Sequence, residues 1–287
     1  MRPVPWPVVD TPPTALTCYR HTDRVTRLRC SECGRPICPD CSMDSAVGQK
    51  CPECARPQGR ARVIDARRTV RAPAARTAPV AFGLIAVNAI VYLLGMLSNE
   101  IDVRLFIEGA QRRDLIEAGE WYRVATAMFL HGGLTHVLFN MWALYIFGPV
   151  LERRFGSIPF ASLYVASGLS GGALFYLLGS PAWAVGASGA IFGLFGALLA
   201  SFYRQRHSPA GRAVFTQLVV LLAINMALPL IVPNIAWEAH VGGLLAGMAI
   251  AAAWDRMPEH DGRRALRLRT LAALLVAAVA LGIVILG

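Results

Sequence analysis

Residues 183 to 200 read WAVGASGAIFGLFGALLA, a nearly unbroken apolar stretch with a single hydroxyl group, that of Ser188. A stretch of this kind favours a helix inside a membrane, where every backbone polar group must be satisfied internally. Ser188 lies between Ala187 and Gly189. It is either a small residue that lets two helices pack closely, or a nucleophile in a place where water is scarce.

The rest of the chain has the same apolar character. Of its 287 residues, 55% are hydrophobic, and they gather into blocks of about 20, the length that crosses a bilayer as a helix. This predicts an all-α multi-pass membrane protein. The net charge of +10 comes mostly from arginines beside the apolar blocks, where membrane orientation explains them, so nucleic-acid binding is not expected.

Seven spans are predicted from the apolar blocks. Arginines concentrate in the loops that are cytoplasmic if the N-terminus is inside, so the positive-inside rule predicts a cytoplasmic N-terminus and an outside C-terminus. No apolar signal-sequence core precedes the first span. The preference for arginine over lysine suggests a GC-rich bacterial source and thus the plasma membrane. The predicted spans lie near residues 79–97, 133–151, 158–178, 187–203, 213–232, 236–254 and 268–286.

Three segments precede this membrane domain, which we place at 78–287. Residues 1–17 carry five prolines without a periodic pattern and are predicted to be disordered. Residues 18–57 contain all seven cysteines. Residues 58–77 are rich in Arg, Ala and Pro, and are predicted to form a basic cytoplasmic linker.

Eight candidate metal ligands form four pairs, with two residues between the members of each pair. Thiolate and imidazole groups are the ligands of structural zinc, and eight of them close two tetrahedral sites without an open catalytic position. We expect two structural zinc ions in a module too small for its own core, and a cytosolic protein as its partner. The ligands are Cys18 and His21, Cys30 and Cys33, Cys38 and Cys41, and Cys51 and Cys54.

The order of these pairs resembles a B-box-like, cross-brace zinc finger. In that arrangement the first and third pairs share one ion, and the second and fourth pairs share the other. Sequential pairing is equally compatible with the spacing. Disulfides are the weaker interpretation, because the cytoplasm keeps thiols reduced.

Polar side chains lie near the starts of three predicted spans. In the seven-span order these three spans run in the same direction, so their starts lie at the same depth in the membrane. His136 and Asn140 lie in the second span, Ser188 in the fourth and His240 in the sixth. His240 is the candidate base for Ser188. His136, Asn140 and the Ser188 backbone N–H are candidate donors to an oxyanion. Alone, each group could equally serve helix packing or an interhelical hydrogen bond.

Together these residues resemble the rhomboid family of intramembrane serine proteases. The similarity covers residues 120–247 and rests on several motifs. They are EWYRVATAMFLH at 120–131, His136-x3-Asn140, LERRFGS at 151–157, GASG at 186–189, and His240 with Gly243 and Gly247 as H-x-x-G-x-x-x-G. In one departure, Tyr122 stands between Trp121 and Arg123, where the family has Trp-Arg; this loop is expected to be a scaffold.

The resemblance implies a rhomboid-like helical bundle of six spans, to which the C-terminal seventh span is an addition. It implies that Ser188 is the nucleophile, His240 the base without a third acid, and His136 with Asn140 part of the oxyanion hole. Phe192 matches an aromatic residue that packs on the base. Gly186, Gly189 and Gly243 are expected supporting residues, the first two by allowing a close approach of substrate.

The resemblance also implies what the protein acts on. The expected substrate is a transmembrane protein, cleaved near the outer leaflet, and catalysis needs no cofactor. Glu152 and Arg153 are interpreted as structural charges, and His131 is left outside the catalytic set. The alternative is a catalytically silent rhomboid-like protein that holds membrane clients while the zinc module recruits a cytosolic partner. A transporter is disfavoured, because the spans carry no chain of buried acids.

Overall fold

The computed structural model describes residues 16–45, 48–55, 77–179, 182–257 and 262–287. The predicted disordered N-terminus and basic linker fall almost wholly outside these residues. The chain divides into two compact units, residues 1–75 and 76–287, and each is described by itself.

The N-terminal unit contains short elements around its cysteines. Strands β1 (Leu16–Thr17) and β2 (Val25–Thr26) pair antiparallel, as do β3 (Met43–Asp44) and β4 (Gln49–Lys50). A 3-10 turn at Pro39–Cys41 and helix α1 (Pro52–Ala55) are the other elements among its described residues. Its buried cluster consists of five cysteines and Ile37. So little aliphatic surface cannot hold a fold of this size together without further cross-links.

The C-terminal unit is helical in all its described elements. Four short helices or turns lie between the first and second long helices of this unit. The helices are α2 (Pro79–Gly95), α3 (Asn99–Gly109), α4 (Arg113–Glu117), α5 (Arg123–Thr126), α6 (Leu134–Phe155), α7 (Ser157–Leu178), α8 (Ser188–Gln205), α9 (Pro209–Ala227), α10 (Trp237–Trp254) and α11 (Gly262–Leu286), with 3-10 turns at Ala127–Phe129 and Leu228–Leu230.

Four segments are long and apolar enough to cross a membrane: Leu134–Phe155, Ser157–Leu178, Pro209–Leu230 and Gly262–Leu286. Helix α2 is a shorter apolar helix. Helices α8 and α10 have 18 residues each and carry the polar residues predicted at their starts. The chain is thus an all-α multi-pass membrane protein, as expected, and each predicted span coincides with a helix. That all seven helices cross the bilayer stays a prediction.

The second predicted span corresponds to helix α6, which extends beyond the predicted end at residue 151. Helix α6 continues to Phe155, and a single residue, Gly156, separates it from α7. Gly156 has a φ of 95°, a conformation that residues with a Cβ rarely adopt. Glu152, at the end of α6, is buried and accepts hydrogen bonds from the backbone N–H of Val80 and Ala81. Its expected structural role is therefore to cap the start of α2.

Helices α7, α8 and α10 form the centre of the bundle and approach each other through glycines. A Cβ at Gly243 would overlap the carbonyl oxygen of Gly189, and a Cβ at Gly247 would overlap that of Gly193. Small residues let membrane helices come this close. The close contact of α8 with α10 places the first turn of one helix beside the first turn of the other.

Candidate active site and metal centre

Ser188 and His240 meet at the starts of α8 and α10. The Oγ atom of Ser188 lies 2.9 Å from Nε2 of His240. This is hydrogen-bond distance for a hydroxyl that donates to a neutral imidazole. It is also the distance expected between a nucleophile and its general base.

The His240 ring is held by an aromatic neighbour. Phe192, one turn along α8 from Ser188, stacks on it with ring centroids 4.1 Å apart and an angle of 8° between the planes. Nδ1 of His240 is buried, and within the described part of the chain it has no hydrogen-bond partner. The stacking contact therefore fixes the orientation of the His240 ring.

His136 also lies near Ser188. Its ring contacts Gly186 so closely that a Cβ there would be 2.7 Å from Nε2 of His136 and 3.7 Å from Oγ of Ser188. Gly186 also has a φ of 124°. The absence of a side chain at this position therefore gives His136 access to the surroundings of the hydroxyl.

Asn140 is buried one turn after His136 on α6. Its Nδ2 donates to the carbonyl oxygen of His136 at 2.9 Å, which leaves one amide hydrogen for another acceptor. The backbone N–H of Ser188 belongs to the first turn of α8, where donors have no intrahelical partner. The candidate oxyanion donors thus come from α6 and α8.

Gly189 contributes to helix packing. A Cβ there would lie 3.3 Å from the carbonyl oxygen of Ala239 and 3.7 Å from Cα of Gly171, so the residue lets α8 pack closely on α7 and α10. Gly189 also lines a small cavity beside Ser188. Its expected role in the close approach of substrate stays a prediction.

A cavity of about 30 Å³ adjoins Ser188. Met128, Gly168 and Gly172 line it, together with the segment before Ser188. Gln111 is also part of the lining, pairs with Ala184 in an isolated β-bridge, and donates from Nε2 to the carbonyl oxygen of Gly172 at 2.7 Å. A glutamine in a polar loop carries no signal of such a role in the sequence.

The loop that departs from the family pattern is firmly tied to its surroundings. The Arg123 side chain is 6% exposed and forms an ion pair with Glu120. It also donates to the carbonyl oxygens of Ile107 and Ala110. Tyr122 donates to the same carboxylate of Glu120. The extra tyrosine is thus accommodated at the surface, and the arginine acts as a scaffold.

His131 lies beside His136, with ring centroids 5.1 Å apart in an edge-to-face arrangement. Both of its ring nitrogens are buried and make no hydrogen bond of normal geometry, although the carbonyl of Phe129 is close to the ring. The structure gives it no direct contact with Ser188, and it stays outside the catalytic set.

Two clusters of four metal-ligating side chains lie in the N-terminal unit. In each cluster the ligand atoms are within 4.8 Å of one another. The grouping joins the first pair to the third and the second pair to the fourth. The clusters are Cys18, His21, Cys38 and Cys41, and Cys30, Cys33, Cys51 and Cys54.

The spacing of the donor atoms fits a tetrahedral ion. Nδ1 of His21 lies 3.3 Å from Sγ of Cys38 and 3.4 Å from Sγ of Cys41. Tetrahedral zinc would place an imidazole nitrogen and a thiolate sulfur roughly 3.5 Å apart, close to these two distances. Hydrogen bonds from the backbone N–H groups of Cys33 and Cys51 lower the pKa of the Cys30 thiol to about 6, which favours the thiolate that a metal binds. Both clusters can therefore bind metal ions.

Comparison with known proteins gives the family. A family model described as the Rhomboid domain matches residues 118–255. Rhomboid protease GluP of Bacillus subtilis is 38% identical over 179 residues, which are 62% of this chain and 34% of GluP. YdcA of the same organism is 34% identical over 178 residues, 61% of this chain and 88% of YdcA. RHOMBOID-like protein 5 of Arabidopsis thaliana is 38% identical over 156 residues, 53% of this chain and 50% of the relative.

The region that the family model matches contains Ser188, His240, His136 and Asn140, and it does not include the Cys/His module. The chain spans about a third of GluP and half of the Arabidopsis protein, but most of YdcA. The similarity to YdcA, 34% over 88% of its length, is enough to show the family. The chain belongs to the rhomboid family of serine endopeptidases.

Proposed function

We propose that this protein is an intramembrane serine protease in which Ser188 attacks the scissile carbonyl and His240 is the general base. The observation that carries the proposal is the 2.9 Å separation of Ser188 Oγ and His240 Nε2. In a membrane, a serine and a histidine placed together without a chemical role would be a costly pair of polar groups.

The proposed reaction proceeds through an acyl-enzyme. The Ser188 Oγ–H proton passes to Nε2 of His240 while Oγ bonds to the carbonyl carbon. The negative charge on the carbonyl oxygen is stabilised by the Ser188 N–H, by His136 and by the free amide hydrogen of Asn140. His240 then protonates the leaving amine as the C–N bond breaks. Water, deprotonated by His240, attacks the ester, and its proton finally returns to Ser188 Oγ.

The proposed substrate is a transmembrane protein cleaved near the outer leaflet. A helix hides its carbonyl groups in internal hydrogen bonds, so the substrate must unwind before Ser188 can reach one. Small or helix-breaking residues near the scissile bond are therefore expected. The cavity beside Ser188 is the proposed place for a small substrate side chain.

We also propose a topology and a place for the N-terminal module. Seven spans with the N-terminus in the cytoplasm of a bacterium put the Cys/His clusters in a reducing compartment, where thiolates bind zinc rather than form disulfides. Two zinc ions would hold the module in a B-box-like fold, and a cytosolic protein is its proposed partner. Zinc would supply folding energy there and takes no part in proteolysis.

Labelling with a fluorophosphonate probe tests the activity. We expect the detergent-solubilised full chain to be labelled, and Ser188→Ala and His240→Ala to lose the label while they keep the wild-type melting temperature. Ser201→Ala is the matched control, because Ser201 is also a buried serine of α8 and lies far from His240. It should be labelled like the wild type.

The alternative is a catalytically silent client-binding protein. This alternative predicts the opposite labelling result. A well-folded wild type would not react with the probe, and Ser188→Ala would still bind membrane clients. Such a result would return Ser188 to the role of a helix-packing residue.

A further inference from the structure

Two arginines of the membrane unit lie over one aromatic ring. The guanidinium carbon of Arg154, on α6, is 4.9 Å from the centroid of the Phe155 ring, and that of Arg269, on α11, is 5.6 Å from it. Phe155 packs edge to face on Trp254, at 4.9 Å, and Trp254 is fully buried. The aromatic pair holds both guanidinium groups in defined positions.

Both arginines stand at the boundary of an apolar segment. Residues 134–151 of α6 contain no Asp, Glu, Lys or Arg, and Arg154 follows them; residues 270–286 of α11 also contain none, and Arg269 precedes them. Each helix is a candidate membrane span. Arginines in this position extend their charge to the layer of lipid head groups.

The charges of this cluster do not balance. Arg154 pairs with Asp255 at 3.2 Å. Arg269 makes no ion pair with any residue that the structure describes, and its buried Nε has no hydrogen-bond partner there. Trp254 Nε1 donates to the carbonyl oxygen of Arg269 at 2.9 Å, which fixes the backbone. A rigidly held, partly desolvated guanidinium group without an acceptor is a binding site for an oxyanion.

The exposed leucines of α11 lie on another side of the helix from Arg269. Leu268, Leu271 and Leu275 are 39%, 61% and 67% exposed and share one side. Arg269 is four residues before the fully buried Ala273 and so lies near the side that packs on the bundle. What favours a lipid phosphate over a free phosphate ion is therefore the position of Arg269 at the end of an apolar segment, at the level of the lipid head groups.

We propose that Arg269, together with Arg154, binds the phosphate group of an anionic phospholipid. The site is separate from Ser188 and does not depend on the protease function. It fixes α11, the helix beyond the six-span core, to α6 and α10 through a lipid.

Native mass spectrometry of the full chain tests this site, with phosphatidylglycerol and phosphatidylcholine of the same acyl chains. The wild type should retain phosphatidylglycerol preferentially. Arg269→Gln should reduce the retained fraction about tenfold, the effect of one lost charge-assisted hydrogen bond. Arg154→Gln should also reduce it. Arg206→Gln is the matched control, because Arg206 is a single arginine stacked over Tyr203 at 3.7 Å, and it should leave retention nearly unchanged.

Other outcomes would overturn the proposal. Equal retention of the two lipids by the wild type would exclude a phosphate-specific lipid site. An equal loss in Arg206→Gln would reduce the effect to general charge attraction. Displacement of the lipid by excess inorganic phosphate would identify a free-anion site. Melting temperatures in lipid-free detergent show whether each variant is folded. Arg269→Lys keeps the charge, and its lipid retention is a second test of the same site.

Discussion

Gly243 of α10 lies against the carbonyl oxygen of Gly189 in α8, with no room for a Cβ between them. Each glycine is within one turn of a proposed catalytic residue, Gly189 next to Ser188 and Gly243 three residues after His240. The distance between hydroxyl and base therefore depends on the contact between two backbones. Positions that look structural thus control the chemistry.

The first prediction follows from this contact. Gly243→Ala must push α10 away from α8 and should lower the rate of fluorophosphonate labelling about a hundredfold, because a displacement near 1 Å is enough for such a loss. Gly83→Ala is the control, since a Cβ at Gly83 of α2 would meet nothing within 4 Å. Wild-type labelling of Gly243→Ala would show that the glycine contact does not position His240.

The second prediction concerns the ring that stacks on His240. Phe192→Leu keeps most of the buried volume but removes the parallel stacking, so the base should lose its orientation and the turnover number should fall about tenfold or more. Phe195→Leu changes a phenylalanine that is equally buried, one turn further along α8, and should affect the melting temperature alone. Equal activities of the two variants would remove Phe192 from the catalytic machinery.

The third prediction concerns the cavity beside Ser188. Met128 lies against Gly168 in its wall, so Met128→Ala should enlarge it. Cleavage of a model transmembrane substrate should then shift from alanine towards leucine at the scissile carbonyl by about tenfold, the usual range for a few methylene groups. Met248→Ala, on α10 where it packs near Gly196 of α8, should leave this preference unchanged. No shift in Met128→Ala would mean that the cavity does not receive the substrate side chain.

The sequence predicted the helices and the residue types of the site for a clear physical reason. Apolar blocks of span length have few alternatives to a helix in a membrane, and Ser188, His136 and His240 are polar groups that together at one depth call for an explanation. Their shared depth followed from the order of the spans. The proximity of Ser188 and His240 could thus be anticipated without coordinates.

Other features depend on packing, which the sequence does not encode locally. Gly186 and Gly189 look equivalent, yet one faces His136 and the other faces α7 and α10. Gln111 reaches the cavity only because a loop folds back on Ala184. The metal-ligand pairs were visible, but their spacing allowed two groupings, and only the folded backbone decides which pairs meet.

The fourth prediction concerns the ion pair of Glu120 with Arg123 outside the spans. Hydrogen bonds from Arg123 and Tyr122 hold the pKa of the Glu120 carboxyl below its usual value. The folded-state pKa is therefore lower than the unfolded one, so the pair stabilises the fold above about pH 5 and is lost as the pH falls through the folded-state value.

Glu120→Gln should accordingly lower the melting temperature at neutral pH, and the difference from the wild type should disappear in acid. Glu117→Gln is the matched control, because Glu117 pairs with Arg113 where both side chains are about half exposed, and such pairs contribute little. A constant difference between Glu120→Gln and the wild type at all pH values would show that the ion pair is not its cause.

The fifth prediction separates the two possible groupings of the metal ligands by counting ions. The full chain should carry two zinc ions by native mass spectrometry. His21→Ala and Cys38→Ser should each lose one, because each breaks a tetrahedral site. In the cross-brace grouping both belong to the same cluster, so the double variant should still retain one ion, whereas sequential pairing would leave none. Ser42→Ala, beside the ligand Cys41, is the control and should keep both ions.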